Sequence, residues 1–286
     1  MDNLVTIDLK HPCKVVNNLI DKLASGIGWI ATHETPDRLA LKTYIEDIQK
    51  SDFPPLVKTA MISNANKTIK EYSNQYNIVK IAIENMADTA KPENIDNDWL
   101  SQFMDKARLI SDEQFQLIWG HILKEECNVP NSIPKALLNI LSQMDKKDAE
   151  GFSILCSLSV YIYENEIKTY VPIIMASHLD DYYYKIGIKY NILSDLQSLG
   201  LIEINFGLSD DTYMMDNLKQ PVNIHYFDES YQLPDSMDCF LCGNVIYTKS
   251  GSALCRSLNV EKIKGFFNKY CVPMLEKQIK DREKKN

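Results

Sequence analysis

Apolar residues recur at helical spacing through the first half of the chain. Val15, Val16, Leu19, Ile20, Leu23, Ile27 and Trp29 predict an amphipathic helix over Val15–Ile30, weakened at its end by Gly26 and Gly28. Thr35-Pro36-Asp37 signals a second start, continued by Leu39–Ile48. After Pro54-Pro55 a long pattern from Leu56 through Ile69, Tyr76 and Ile83 to Met86 predicts a helix whose other face, rich in Asn, Lys, Ser and Gln, meets solvent. Asn94–Asn97 reads as a turn, and Trp99, Leu100, Phe103, Met104 and Ala107 then make one helical face. Ser111-Asp112-Glu113-Gln114 reads as a capping box, with Ser111 at the cap and Gln114 reaching back. The next apolar face is Phe115, Leu117, Ile118, Trp119, Ile122 and Leu123. Ser132-Ile133-Pro134 starts a further helix, and Asp145 and Asp148 bracket another that runs through Phe152, Leu155, Leu158 and Tyr161. Short connections between such helices predict an antiparallel array.

From Gly200 the period changes to alternation. A helical segment ending in Asn191–Gly200 is followed by an apolar strand, Leu201–Phe206, a polar loop and a second strand, Val222–Phe227. Asn244–Leu254 then reads as a strand running straight into a helix start. That order is winged-helix-like. The predicted fold is mainly α: a helical region over 1–144, a winged-helix-like domain with a small β-sheet over 145–260, and a closing helix and fraying tail over 261–286. No internal repeat is visible.

Charge complicates this reading. Between Asp145 and Val260 there are 16 Asp and Glu against 8 Lys and Arg, so this module carries the whole formal charge of −8. Positive charge supplies most of the affinity for a phosphate backbone, and a pI near 5.2 disfavours unassisted nucleic-acid binding. The seven cysteines are scattered rather than framed as disulfides, which suits reduced thiols in a cytoplasmic protein. No secretory leader or membrane-spanning run is expected.

Candidate chemistry is sparse. Cys239-Phe-Leu-Cys242-Gly243 has the spacing of half a tetrahedral zinc site, but no second pair follows at metal spacing. Two buried thiols beside a strand account for it, and no cofactor is expected. Glu125-Glu126, Asp180-Asp181 and Asp210-Asp211 read as turns and caps, since hydrolytic metal chemistry needs carboxylates converging from several elements. Tyr182-Tyr183-Tyr184 with Lys185 and Lys189 offers aromatic rings beside cations just ahead of a recognition helix at about Lys189–Leu199. Asn191 lies on that helix and Lys249 beyond the wing. Its single Lys and Asp195 make a poor footprint for DNA.

The run Asn97-Asp-Trp-Leu-Ser-Gln-Phe-Met-Asp-Lys-Ala-Arg108, then Ile110-Ser-Asp-Glu113 and Leu117-Ile-Trp-Gly-His-Ile-Leu-Lys124, resembles a bacterial family known only as a domain of unknown function. Ser132–Leu141 and the opening Leu19–Trp29 share the likeness, which covers roughly Leu19 to Phe152. The matching residues are core and cap types, so the resemblance implies a fold and names no active site. It also implies kinship with abortive-infection and phage-defence proteins. The leading expectation is a non-enzymatic interaction protein, a sensor or adaptor, whose partner is another protein or a second copy. The alternatives are a winged-helix DNA-binding regulator using Lys185, Lys189, Lys249 and Arg256, and a metal-dependent hydrolase or nuclease.

Overall fold

Six helices take up the periodic first half. The computed structural model describes residues 14–29, 38–164, 167–174, 182–205 and 213–284, and its contacts divide the chain into two units, Met1–Leu138 and Asn139–Asn286. The Thr35-Pro36-Asp37 start, Asp180-Asp181 and Asp210-Asp211 lie outside the described residues.

The first unit contains α1 (Lys14–Ile27), α2 (Arg38–Lys50), α3 (Pro55–Glu84), α4 (Asn97–Ala107) and α5 (Glu113–Asn128), and α6 (Lys135–Gln143) starts within it. Its core is aromatic: Trp99 stacks on Phe103 at 5.1 Å between centroids, and Phe103 meets Trp119 at 5.2 Å. The buried Trp99 indole N–H donates to Ile133 O at 3.0 Å. The polar side of α3 is not wholly solvated. Asn74 is buried and its amide donates to Arg108 O at 2.8 Å, while Gln75 donates to Met104 O at 2.9 Å. Gln116 on α5 donates to Ile110 O at 2.9 Å, so amides fasten α3 and α5 to the loop before α5. The first half of α3 is exposed instead, with Leu56 at 81%.

Two starts in this unit are set by aspartates. Asp96 accepts from Trp99 N–H at 2.9 Å and pairs with Lys135 at 2.9 Å, a hydrogen bond that holds its carboxyl below the usual range. At α5 the cap is Asp112, not Ser111: its carboxylate accepts from the N–H groups of Gln114 and Phe115. Where Ser and Asp are adjacent, the ionised side chain makes the stronger, charge-assisted cap.

The second unit opens with α7 (Lys146–Ser157), which begins in a reciprocal Asp145–Asp148 capping box. The helix ends there. Tyr161 belongs to strand β1 (Ser159–Glu164), which pairs with β2 (Ile167–Pro172), so alternation begins at Ser159 rather than at Gly200. Next come α8 (Tyr190–Ser198), β3 (Ile202–Ile204), β4 (Tyr213–Met215), β5 (Asn223–Tyr226), β6 (Glu229–Gln232), β7 (Phe240–Gly243), β8 (Val245–Tyr247), α9 (Lys249–Ser257) and α10 (Val272–Glu283). A four-stranded antiparallel sheet has the order β2-β1-β5-β6, and β3-β8 and β4-β7 form two-stranded ribbons. The two strands predicted after Gly200 therefore do not pair with each other. The first joins the strand before α9, and the second joins the larger sheet. The protein is mainly helical with small antiparallel sheets in its carboxy-terminal half.

Val160, Ile162, Val171, Ile224 and Tyr226 are buried on one face of the larger sheet. Tyr226 anchors that face. Its ring lies against Phe266 and Phe267, and its hydroxyl donates to Ser157 O at 2.8 Å and accepts from Ile263 N–H at 2.9 Å.

Candidate functional site

The opposite face of this sheet carries different chemistry. Side chains alternate across a strand, so burying Val160 and Ile162 turns Tyr161 and Tyr163 outward. The register sets Tyr170 and His225 on either side of Tyr161. Tyr161 stacks on His225 at 5.1 Å and meets Tyr170 at 5.3 Å, while Tyr163 stands edge-on to His225 at 5.5 Å. The Lys168 ammonium lies 4.6 Å from the Tyr161 ring centroid. Tyr163 keeps 54% of its surface exposed. Burial raises the hydroxyl of Tyr161 above its usual range and pushes Tyr170 up to about 12, so both remain neutral around pH 7.

A cleft opens at each end of this row. The first, of about 510 Å³, is bordered by Tyr163, Glu164, Asn217, Lys219, Asn223 and His225. Its far wall is a fixed loop. Asn217 turns it with φ of 56°, Leu218 N–H donates to Asp238 O at 2.9 Å, and the Gln220 amide donates to Met237 O while its oxygen accepts from Val222 N–H. The second cleft, of about 260 Å³, is lined by Tyr161, Lys168 and Tyr170 and reaches Cys156, Ser159 and Cys255. Ser159 is hydrogen-bonded to the buried Tyr247 hydroxyl at 2.8 Å. Burial pushes the Cys156 thiol well up, so it is a packing group and not a ready nucleophile.

The residues singled out from sequence are dispersed. Of the three consecutive tyrosines, Tyr183 is 2% exposed and its hydroxyl donates to Ile173 O at 2.8 Å. Tyr182 stacks on Tyr270 at 3.8 Å, and Tyr184 is exposed with the Lys189 ammonium 4.7 Å from its ring centroid. Lys185, Lys189 and Asn191 are exposed around the start of α8, where Asp195 is neutralised by Lys147 at 3.0 Å. Lys249 follows Thr248, whose hydroxyl donates to Gly200 O at 2.6 Å, so it stands at the other end of α8, about 13 Å away along the helix axis.

Cys239 precedes β7 and Cys242 lies on it. Cys242 is buried with its thiol pushed up to about 11, and Cys239 lies near the Arg282 guanidinium. Among the described residues no third His, Cys, Asp or Glu joins the pair as a metal-binding group. Glu126, from one of the acidic pairs, is buried and its two oxygens accept from Asn131 and Ile133 N–H at 2.7 and 2.9 Å. It closes a loop. The tyrosine face itself went unread, although Ser-Val-Tyr-Ile-Tyr-Glu and Ile-Lys-Thr-Tyr-Val-Pro alternate and are separated by two polar residues, the signature of a hairpin.

These features define a mainly helical protein with an aromatic face on its larger sheet. The chain belongs to the family described as protein of unknown function (DUF2806), whose model matches residues 63–270. That match begins inside α3, past Leu19, and continues well beyond Phe152 to take in all three strands that carry the tyrosine face. No curated protein and no solved structure matches the chain. Among the described residues no helix is long and apolar enough to cross a membrane.

Proposed function

We propose that this is a non-enzymatic interaction protein, a sensor or adaptor, that engages a protein partner through the tyrosine face of its larger sheet. The observation that carries the reading is the row Tyr170, Tyr161, His225 and Tyr163, rings in mutual contact and still partly open to solvent, with a cleft at each end. Tyrosines suit such a surface because they combine large contact area, a polar tip and little side-chain entropy to lose. Among the described residues no three His, Cys, Asp or Glu side chains come together as a metal-binding group, and Asp180-Asp181 and Asp210-Asp211, two of the acidic pairs weighed for the hydrolase reading, lie outside them. A role in phage defence rests on the sequence resemblance alone and is kept as part of the proposal.

A second reading, the winged-helix regulator, draws on the Lys147–Asp195 pair, which leaves Lys185, Lys189 and Asn191 as the exposed polar groups around the start of α8. One experiment separates the two. A photo-crosslinking phenylalanine is introduced in cells at Tyr163 and, as a control of similar exposure, at Tyr44. Protein adducts specific to position 163 are expected. Identical adducts at both positions would sink the proposal. Duplex DNA binding by the purified protein that weakens steeply with salt would replace it with the regulator.

A further inference from the structure

The larger cleft opens where β1 and β5 part. They pair at Tyr161 and His225, and residues two apart on a strand share a face, so Tyr163 and Asn223 both stand on the tyrosine face beside the cleft. Glu164 turns the other way. It follows Ile162 on the buried face, and its carboxylate accepts from the Thr169 hydroxyl at 2.7 Å. The charged side chain left at the cleft is Lys219, which is exposed and forms no ion pair among the described residues. Asn217 and His225 complete the polar wall. This set favours an anion that also carries a flat ring. An ammonium is a point charge suited to phosphate, and amide side chains offer both donors and acceptors to the edge of a heterocycle. Tyr163, 54% exposed, has ring surface left to stack. The volume of about 510 Å³ suits a ligand of that size, whereas inorganic phosphate alone would leave most of it empty. A polyanion fits less well. The segment from Asp145 to Val260 holds 16 acids against 8 bases, so a long strand would run along an acidic unit. A small ligand feels mainly the groups within about one Debye length, roughly 8 Å.

We propose that this cleft binds a small organic anion of nucleotide type, with its ring laid against Tyr163, its ring edge at Asn223 and its phosphate at the Lys219 ammonium. This goes beyond the interaction reading and stands without it. Tyr163 belongs both to the cleft and to the exposed row of rings, so a bound ligand covers part of the surface offered to a partner. Ligand and partner then compete for that ring.

The test titrates the full chain with the ribonucleoside monophosphates of adenine, guanine, cytosine and uracil, followed by ligand-observed saturation-transfer NMR. Their nucleosides, inorganic phosphate and oligouridylate are the comparisons. At least one monophosphate should bind about tenfold tighter than its nucleoside and than inorganic phosphate. Lys219→Ala should remove that advantage, Tyr163→Leu should weaken binding about fivefold, and Tyr163→Phe should keep it. Glu164→Gln should change binding less than about twofold, because its carboxylate faces away. Tyr163 and Lys219 are exposed, so these variants keep the fold. No binding by any monophosphate, nucleosides that bind as well as their phosphates, an unchanged Lys219→Ala or Tyr163→Leu, or preference for oligouridylate over uridine monophosphate would each overturn the proposal. Protein adducts specific to position 163 without monophosphate binding would overturn it alone. Monophosphate binding with identical adducts at positions 163 and 44 would instead uphold it and remove the interaction reading.

Discussion

Alanine at Gly251 is expected to destabilise the second unit by about 3 kcal/mol, at the upper end of the usual cost of overpacking. Its Cβ would stand 1.9 Å from Leu201 O, a backbone atom that cannot rotate away. That carbonyl is already engaged. Thr248 N–H donates to it at 3.0 Å, and the Thr248 hydroxyl, which donates to Gly200 O, accepts from Gly251 N–H at 3.1 Å. Making room for a methyl group means moving α9 off the β3 backbone, which breaks the cap and the junction together. The measurement is chemical denaturation followed by tyrosine circular dichroism. A midpoint equal to that of the unaltered protein would show that the junction yields without cost.

Replacing Glu126 by alanine should cost about 3 kcal/mol in the first unit, because two main-chain donors lose their acceptor and a buried side chain leaves a void. Ile133 N–H is buried and Asn131 has φ of 67°, a left-handed conformation held in part by the Glu126 carboxylate. All three tryptophans, Trp29, Trp99 and Trp119, lie in this unit, so tryptophan fluorescence reports its unfolding directly. Glu126→Gln should behave differently with pH. Burial, the largest influence, raises the Glu126 carboxyl above its ordinary 4.5, against the pull of its backbone hydrogen bonds. A carboxyl with a raised folded-state value binds its proton more tightly when folded. Its contribution is therefore complete below the unfolded value and declines as pH rises through the folded one. Glutamine should remove that decline above about pH 4.5. A slope that persists in Glu126→Gln would assign it to another group.

The helices from Trp99 to Gln143 were legible because their caps, apolar faces and short connections agree with one another. At α5 the Ser111-x-x-Gln114 spacing points to Ser111, but the neighbouring Asp112 carboxylate takes the cap by accepting from Gln114 and Phe115 N–H. The β1–β2 pair was missed for a related reason. Leu155, Leu158 and Tyr161 continue a helical spacing, and their period overlaps the alternation of Val160 and Ile162 until the chain commits to a strand. The consecutive tyrosines drew attention as a block, yet helical geometry sends adjacent side chains in different directions, so Tyr183 enters the core while Tyr184 stays outside. The tyrosine face could not be assembled from sequence because its members come from three strands, and the register between β1 and β5 depends on a long intervening segment.

The 30 residues of α3 make a rod of about 45 Å that is gripped along its second half, where Asn74, Tyr76, Ile78, Val79 and Ala82 are buried. Gly120 of α5 sits so close to it that a Cβ there would meet Ile81 Cγ2 at 2.4 Å. Among the described residues the other half has no comparable hold. One continuous hydrogen-bond ladder thus spans two regimes: amide protons before about Ile69 should exchange through local fraying, and those after it only when the whole unit opens. A hydrogen-exchange profile should divide α3 within its own length.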